Sequence, residues 1–427
     1  MSEDWRGHAA CRREDPDLFF PVGSGAPALA QAEGAKSVCR RCPAREPCLR
    51  WALATGQEFG VWGGTTEAER RALRRGSAPG GWVALRGTVA PARADDRVPR
   101  PGRRGERGDA VNHMTAADEP FVHPALFYRD RDEYLSAVAA FVREGLVADE
   151  PVAVAVPRAG LELLRGELGG DAGAVRFTDM EEAGRNPGRI IPRVLRAFAD
   201  AHPGRRVRIV GEPVWAGRSA AEYPACVQHE ALINHAFTGR AVTILCPYDA
   251  SRLPARAVAD AHATHPLVID GGRGAPSASY APDHMVAAYN RPLPPPPRGA
   301  DVLSLRFDDT LLPDARHLVV TRAAKLGLAP ERWDDLALAV AELTANSVEH
   351  GGGRGTVRVW AEGGRVVWEV SDGGHIRDPL AGRRPARDGV PGGRGLLLVH
   401  ALSDLVRTYT GPDGTVTRCH LRCAPSP

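Results

Sequence analysis

The chain has 427 residues, 43% hydrophobic and 25% charged, with 47 glycines, 36 prolines and only 6% aromatics; this length asks for two to four domains, and this composition for globules joined by linkers. No stretch approaches about 18 consecutive apolar residues and Met1 to Arg13 is charged, so the expectation is a cytoplasmic protein with neither membrane span nor signal peptide. The net charge of +3 hides an asymmetry: residues 70–108 carry eleven arginines against three acids, a net +8, which leaves the remainder at −5.

The first module is expected at residues 1–85. Cys11, Cys39, Cys42 and Cys48 follow the spacing C-x27-C-x2-C-x5-C, far from the other four cysteines. In a reducing compartment such grouped thiolates fit one tetrathiolate centre, and Pro43 and Pro47 stiffen the loop that assembles it. Spacing alone leaves zinc and an iron–sulfur cluster both open, with the lone first cysteine tilting toward a cluster. The glycines of GVWGG, residues 60–64, allow a tight turn that presents Trp62 as an anchor for a partner, or simply buries it. Arg70, Arg71, Arg74 and Arg75 at helical spacing form a basic face suited to phosphates. The Arg, Pro and Gly-rich stretch 86–118 offers little to bury and reads as a flexible linker, with DNA as a partner for its charge.

DPDLFFP (Asp15 to Pro21), CRRCPAREPC (Cys39 to Cys48), GVWGG and the following EAERR together resemble the WhiB-like family of actinobacterial regulators. The resemblance implies a 4Fe-4S cluster on the four cysteines, sensitive to oxygen and nitric oxide. It also implies a sigma-factor docking surface near the GVWGG turn and a basic tail that touches DNA.

Residues 119–290 alternate helical and apolar strand-like segments: a helix over Asp132 to Leu146, then strands at Pro151 to Val156, Val207 to Gly211 and Ala241 to Pro247. Apolar strands separated by helices predict a mostly parallel sheet covered on both faces. No phosphate-loop motif occurs. Glu212, Trp215, Tyr223, His229 and Glu230 form a polar and aromatic set rich enough to line a pocket. Cys226, His229 and Cys246 offer ligand types at C-x2-H spacing, although helix and strand cysteines are more often small core residues. The segments HPALFYRDRDEYL, GEPVWAGRSAAEYPACVQHEALIN and TILCPYD resemble the MEDS sensory domain, which implies a small organic ligand.

RPLPPPPRG closes this module with a polyproline spacer at 291–300. Residues 301–424 predict strand, helix, long helix (Glu331 to His350), hairpin (Thr356 to Ser371), short helix (Gly393 to Leu402) and two closing strands, a two-layer α/β arrangement. On the long helix Glu342, Asn346 and His350 stack at i, i+4 and i+8, where Asn346 can offer an oxygen to Mg and Glu342 can take a proton. Asp372, followed by Gly373 and Gly374, ends a strand where a planar base can approach and give its exocyclic amine to the carboxylate. Gly392, Gly393 and Gly395 open a helix whose free amides suit phosphate.

In this order the motifs resemble the GHKL ATPases, specifically the anti-sigma-factor serine kinases of the RsbW type. The resemblance implies ATP and Mg as cofactors, Glu342 as base, Asn346 as Mg ligand, Asp372 as adenine contact, and Gly374, Gly393 and Gly395 as phosphate and lid glycines. The final glycine of the family's D-x-G-x-G is replaced by Ile376. The whole chain thus reads as a multidomain α+β and α/β protein: a small mainly helical cysteine domain, an α/β sensor and a GHKL domain. Its expected function is a transcriptional regulator that couples redox and small-molecule sensing to a serine kinase acting between a sigma factor and an anti-anti-sigma factor. Two alternatives stand beside it: a DNA-binding WhiB-like factor with noncatalytic binding modules, and a sensor histidine kinase using His229. Met114 could also begin a separate natural product, dividing the chain at 113/114.

Overall fold

The computed structural model describes residues 8–14, 16–19, 21, 26–54, 60–66, 69–70, 73, 121–385 and 393–423. The stretch 86–118 and Arg71, Arg74 and Arg75 lie outside the described residues. The chain parts into two compact units, Met1–Asn112 and His113–Pro427.

In the first unit, two 3-10 turns (Ala10–Arg13 and Pro16–Phe19) precede helices α1 (Ala26–Arg40) and α2 (Arg45–Ala54). Phe19, Ala32, Ala35, Val38, Cys39 and Val61 form its small core. A core of this size stabilises little on its own, so polar clamps around the cysteines matter here.

The second unit holds two sheets. The larger contains β1 (Phe121–Val122), β2 (Pro124–Tyr128), β3 (Val152–Val156), β4 (Val175–Asp179), β5 (Val207–Gly211), β6 (Val242–Asp249), β7 (Leu267–Asp270) and β8 (Arg273–Pro276). Its order is β4-β3-β5-β6-β2-β7-β8, with β1 also on β6, and every pairing is parallel except the β7–β8 hairpin. Every residue of β3 is buried because alternate side chains enter separate cores, Ala153 and Ala155 on one face, Val152, Val154 and Val156 on the other. Around it lie α3 (Arg131–Val147), α4 (Arg158–Leu168), α5 (Tyr223–Ala236), α6 (Ala255–Thr264) and α7 (Pro282–Ala288). Asp130 caps α3 by accepting from the Glu133 amide at 2.9 Å, while Glu133 accepts from the Arg129 amide at 2.8 Å.

The smaller sheet is antiparallel, in order β12-β13-β11-β10-β9, from β9 (Leu303–Asp308), β10 (Arg354–Glu362), β11 (Arg365–Asp372), β12 (Leu405–Gly411) and β13 (Gly414–Arg422). Helices α8 (Leu312–Lys325), α9 (Trp333–His350) and α10 (Gly395–Leu402) share a core with this sheet, against Val357, Val359, Trp368 and Val370. Glu369 lies on the opposite face, buried between Arg418 (2.7 Å) and Arg358. The polyproline segment is not a free spacer: the Pro294 carbonyl accepts from Arg418 at 2.8 Å, and Asn290 bonds the backbone of Thr410 in both directions.

The two sheets are joined by direct contacts at the end of α10. Asn186 is buried and donates to the His400 carbonyl at 2.9 Å while accepting from the Gly188 amide at 3.1 Å. Arg189 reaches the Ala401 carbonyl, Arg185 pairs with Asp404 at 3.4 Å, and Arg407 reaches the Ala221 carbonyl at 2.9 Å. Among the described residues, no helix is long and apolar enough to cross a membrane.

Candidate functional site

Cys11, Cys39, Cys42 and Cys48 line one cavity of about 170 Å³ together with Phe19, Val38, Val61 and Trp62. The C-x2-C pair sits where α1 ends and a turn begins, with the Cys42 amide donating to the Cys39 carbonyl at 3.1 Å. Cys48 comes from α2, and Cys11 from the first 3-10 turn. Burial raises the thiols of Cys11, Cys39 and Cys48, the last to about 11, and the nearness of the other sulfurs raises each further. Backbone amides oppose that trend at two of them, Gly64 pointing at Cys39 and Gly63 at Cys48, and the Ala10 amide donates to Cys42 Sγ at 3.3 Å. Four soft donors about one cavity, with amides aimed at the sulfurs, fit a thiolate-held metal centre or cluster.

The GVWGG turn serves this cavity. Trp62 and Thr65 exchange two backbone bonds of 3.0 Å, with Gly63 and Gly64 at φ of 55° and 79°. A Cβ on Gly63 would fall 2.6 Å from Leu49 Cβ, so only glycine brings the amide this close to Cys48. Trp62 is half-buried over Trp51, with ring centroids 5.2 Å apart, and faces the cysteine cavity. Arg70 corrects the sequence reading. It is fully buried and clamps the turn, donating to the Thr65 carbonyl at 2.6 Å and the Gly60 carbonyl at 2.9 Å, and so cannot join a basic face for phosphate.

In the second unit, Asn346, Asp372, Gly374, Gly393 and Gly395 line one cavity of about 400 Å³, with His350, Ser347 and Thr415 beside them. Helix α9 supplies the polar stripe, because its other face, with Leu336, Val340 and Leu343, is buried against the sheet. Asp372 is held on both oxygens: Ser347 Oγ donates to Oδ2 at 2.6 Å, and the Gly374 amide to Oδ1 at 2.8 Å. A Cβ on Gly374 would lie 2.7 Å from the His350 carbonyl oxygen, so the strand exit hugs the helix end. Glu342 stands one turn back and does not line the cavity. A Cβ on Gly395 would meet Glu342 Oε2 at 2.5 Å and Asn346 Nδ2 at 3.2 Å, which puts the start of α10 directly over both side chains. Burial raises the Glu342 carboxyl above the usual range. Ser347 and Gly351 were missed in the sequence; Ser347 adjoins Asn346, and its hydroxyl orients Asp372.

Three members of the sensor module's polar set have separate side-chain contacts. Glu212 is buried beside Tyr128 and Tyr134, Tyr223 donates to Asp260 at 2.5 Å, and Arg218 lies over the Trp215 ring at 3.8 Å. Of Cys226, His229 and Cys246, all buried, Cys246 alone joins a group of ligand-type atoms among the described residues, and its partners are others.

Residues 5–73 match the family model "Transcription factor WhiB", 122–266 the MEDS model ("MEthanogen/methylotroph, DcmR Sensory domain"), and 305–420 the "Histidine kinase-like ATPase domain" model. Transcriptional regulator WhiB1 of Mycobacterium tuberculosis is 64% identical over 75 residues, 18% of this chain and 89% of that protein. WhiB1 of Bifidobacterium longum is 58% identical over 72 residues, 17% of this chain and 78% of that protein. A solved structure of the RsbU and RsbW domains of a Mycobacterium tuberculosis protein matches 29% of this chain and 33% of its own, at 22% identity and a TM-score of 0.23.

Proposed function

The chain belongs to the WhiB family and fuses its WhiB segment to MEDS and histidine kinase-like ATPase segments, and from this we propose a cytoplasmic transcriptional regulator in which iron–sulfur and small-molecule sensing govern an anti-sigma-factor serine kinase. The observation that carries the kinase reading is the meeting of Asn346, Asp372, Gly374, Gly393 and Gly395 about one cavity, with Glu342 beneath the helix that closes it. In this reading Asp372 accepts from the adenine amine, Asn346 holds Mg, and the amides at the start of α10 take the phosphates. The seryl oxygen of an anti-anti-sigma partner attacks the γ-phosphorus, ADP departs, and the seryl proton passes to Glu342. Burial, by holding the Glu342 carboxyl above its usual range, makes it the more ready to take that proton.

Cys11, Cys39, Cys42 and Cys48 would hold a 4Fe-4S cluster, which supplies one-electron redox chemistry and reactivity toward oxygen and nitric oxide. The sensor reaches the nucleotide site through α10: its first residue faces Glu342 and Asn346, and its last turn is gripped by Asn186 and Arg189. A sensor ligand that shifts the Asn186–Gly188 turn therefore moves the phosphate-binding end of the same helix. A sigma factor and DNA complete the partners. The histidine-kinase alternative is disfavoured by the burial of His229, which at 1% exposure offers no nitrogen to a phosphoryl donor.

Mg-dependent ATP binding tests the reading. Asn346→Ala removes an oxygen ligand that a methyl cannot replace, and should abolish Mg-dependent binding measured by calorimetry while leaving the fold intact. Equal ATP affinity in the variant would show that Asn346 does not hold the metal.

A further inference from the structure

His123, Glu230, Cys246 and His265 come from four different elements of the larger sheet module: the β1–β2 junction, α5, β6 and the end of α6. Their ligand atoms all lie within 4.8 Å of one another, and the four residues are 0 to 1% exposed. Glu230 Oε2 stands 3.3 Å from His123 Nε2 and 3.3 Å from His265 Nε2. Cys246 Sγ is 3.4 Å from His123 Nε2 and 3.5 Å from Glu230 Oε2. A tetrahedral zinc ion, with bonds of roughly 2.0–2.1 Å to nitrogen and oxygen and 2.3 Å to sulfur, sets neighbouring ligand atoms about 3.3–3.6 Å apart.

The protons decide what belongs at the centre. His265 Nδ1 lies 2.9 Å from the Ala261 carbonyl, an acceptor only, so Nδ1 carries the hydrogen and Nε2 presents its lone pair inward. Asn234 spends its amide hydrogens on the carbonyls of Glu230, Ala231 and Thr264, which turns its Oδ1 toward His123 Nδ1 at 3.2 Å and fixes the same tautomer there. Two imidazole lone pairs and a carboxylate therefore face one another out of reach of water. A protonated imidazole here would have to hold its charge away from water, which burial opposes. Among the described residues, Glu230 Oε1 and His265 Nε2 have no hydrogen-bond partner. Both histidines have the second hydrogen bond that orients metal-bound imidazoles.

We propose that His123, Glu230, Cys246 and His265 bind a structural divalent transition metal, with zinc the ion that fits this closed donor set of two nitrogens, one oxygen and one sulfur. The ion ties α5 and the α6 terminus to the centre of the parallel sheet.

The test uses the full chain with Cys39→Ser and Cys42→Ser, so that zinc on the first module's thiols is not counted. Purified without chelator, it should retain roughly one zinc per chain after dialysis, and its melting temperature should fall when a strong chelator strips the ion. Cobalt in place of zinc should show ligand-field bands and a thiolate charge-transfer band, and Cys246→Ser should remove the latter. X-ray absorption at the zinc edge supplies a readout that needs no variant of the quartet, with one sulfur and three nitrogen or oxygen neighbours expected. Folded protein holding less than about a tenth of an equivalent of zinc would overturn the proposal. So would bound zinc with a four-sulfur shell, or a cobalt spectrum unchanged by Cys246→Ser.

Discussion

Replacing Asp372 separates its structural duty from its proposed contact with adenine. Asp372→Ala strips the acceptors from the Ser347 hydroxyl and the Gly374 amide, which are held at 2.6 and 2.8 Å. The hydroxyl can fall back on the Leu343 carbonyl at 3.1 Å, whereas the half-buried Gly374 amide exchanges its carboxylate partner for water, so the alanine variant should lose about 1–3 kcal/mol of stability. Asp372→Asn behaves differently. Its Oδ1 can still accept from Gly374, and its amide nitrogen can donate to Ser347 Oγ once that hydroxyl gives its proton to Leu343. The asparagine variant should therefore fold with stability within about 1 kcal/mol of wild type. It nevertheless presents a neutral side chain with one oxygen where a carboxylate had two. Losing a hydrogen bond to a charged acceptor is worth about 1.5–3 kcal/mol, or roughly 10- to 150-fold in ATP affinity. Urea unfolding and ATP titration calorimetry on both variants check this. Full ATP affinity in Asp372→Asn would refute the adenine contact, and unchanged stability in Asp372→Ala would refute its role in holding the strand exit.

Arg70→Ala leaves two carbonyls without their charged donor and should cost the first module about 3 kcal/mol or more, read as a lower melting temperature and faster loss in air of the absorbance of the proposed cluster; full retention of both would mean the turn holds without its clamp. Glu212 is pushed up to about 8 from 4.5, by burial first and then by the charge of Asp249. The folded state thus keeps a proton that the unfolded chain releases, so its stabilising effect is complete below pH 4.5 and is lost as the pH rises toward 8, at roughly 1.4 kcal/mol per pH unit. Glu212→Gln should flatten that decline in urea midpoints measured against pH, and an unaltered slope would remove Glu212 as its source.

The sequence revealed most where one physical cause dominates. Strands β3, β5 and β6 are adjacent and mostly buried, β3 apolar throughout and the others interrupted by Arg208 in β5 and by Thr243 and Asp249 in β6, because helices cover both faces of the sheet, and a run such as VAVAV has no other home. Strand β4 (VRFTD) lies at the sheet edge and is only partly buried, and β8 (RGAP) is wholly exposed, so neither carries an apolar signal. Helix α9 was legible to within two residues at its start, since its buried and polar faces separate cleanly. Arg70 was misread because helical spacing among arginines says nothing of which one turns inward to bond carbonyls. The buried quartet stayed hidden because its members are 16 to 142 positions apart in the chain and only the parallel crossovers bring them together. His123 opens the HPALFY segment and Cys246 lies in TILCP, yet nothing local links them.

Incubation of the chain with labelled ATP, Mg and an anti-anti-sigma protein tests the central claim most directly. The wild type should place an acid-stable phosphoserine on the partner, while Glu342→Gln, which keeps the size of the side chain but not its basicity, should bind ATP and leave the partner unlabelled. Acid-labile label on the chain itself that disappears in His229→Ala, or no ATP binding by the wild type, would contradict the account.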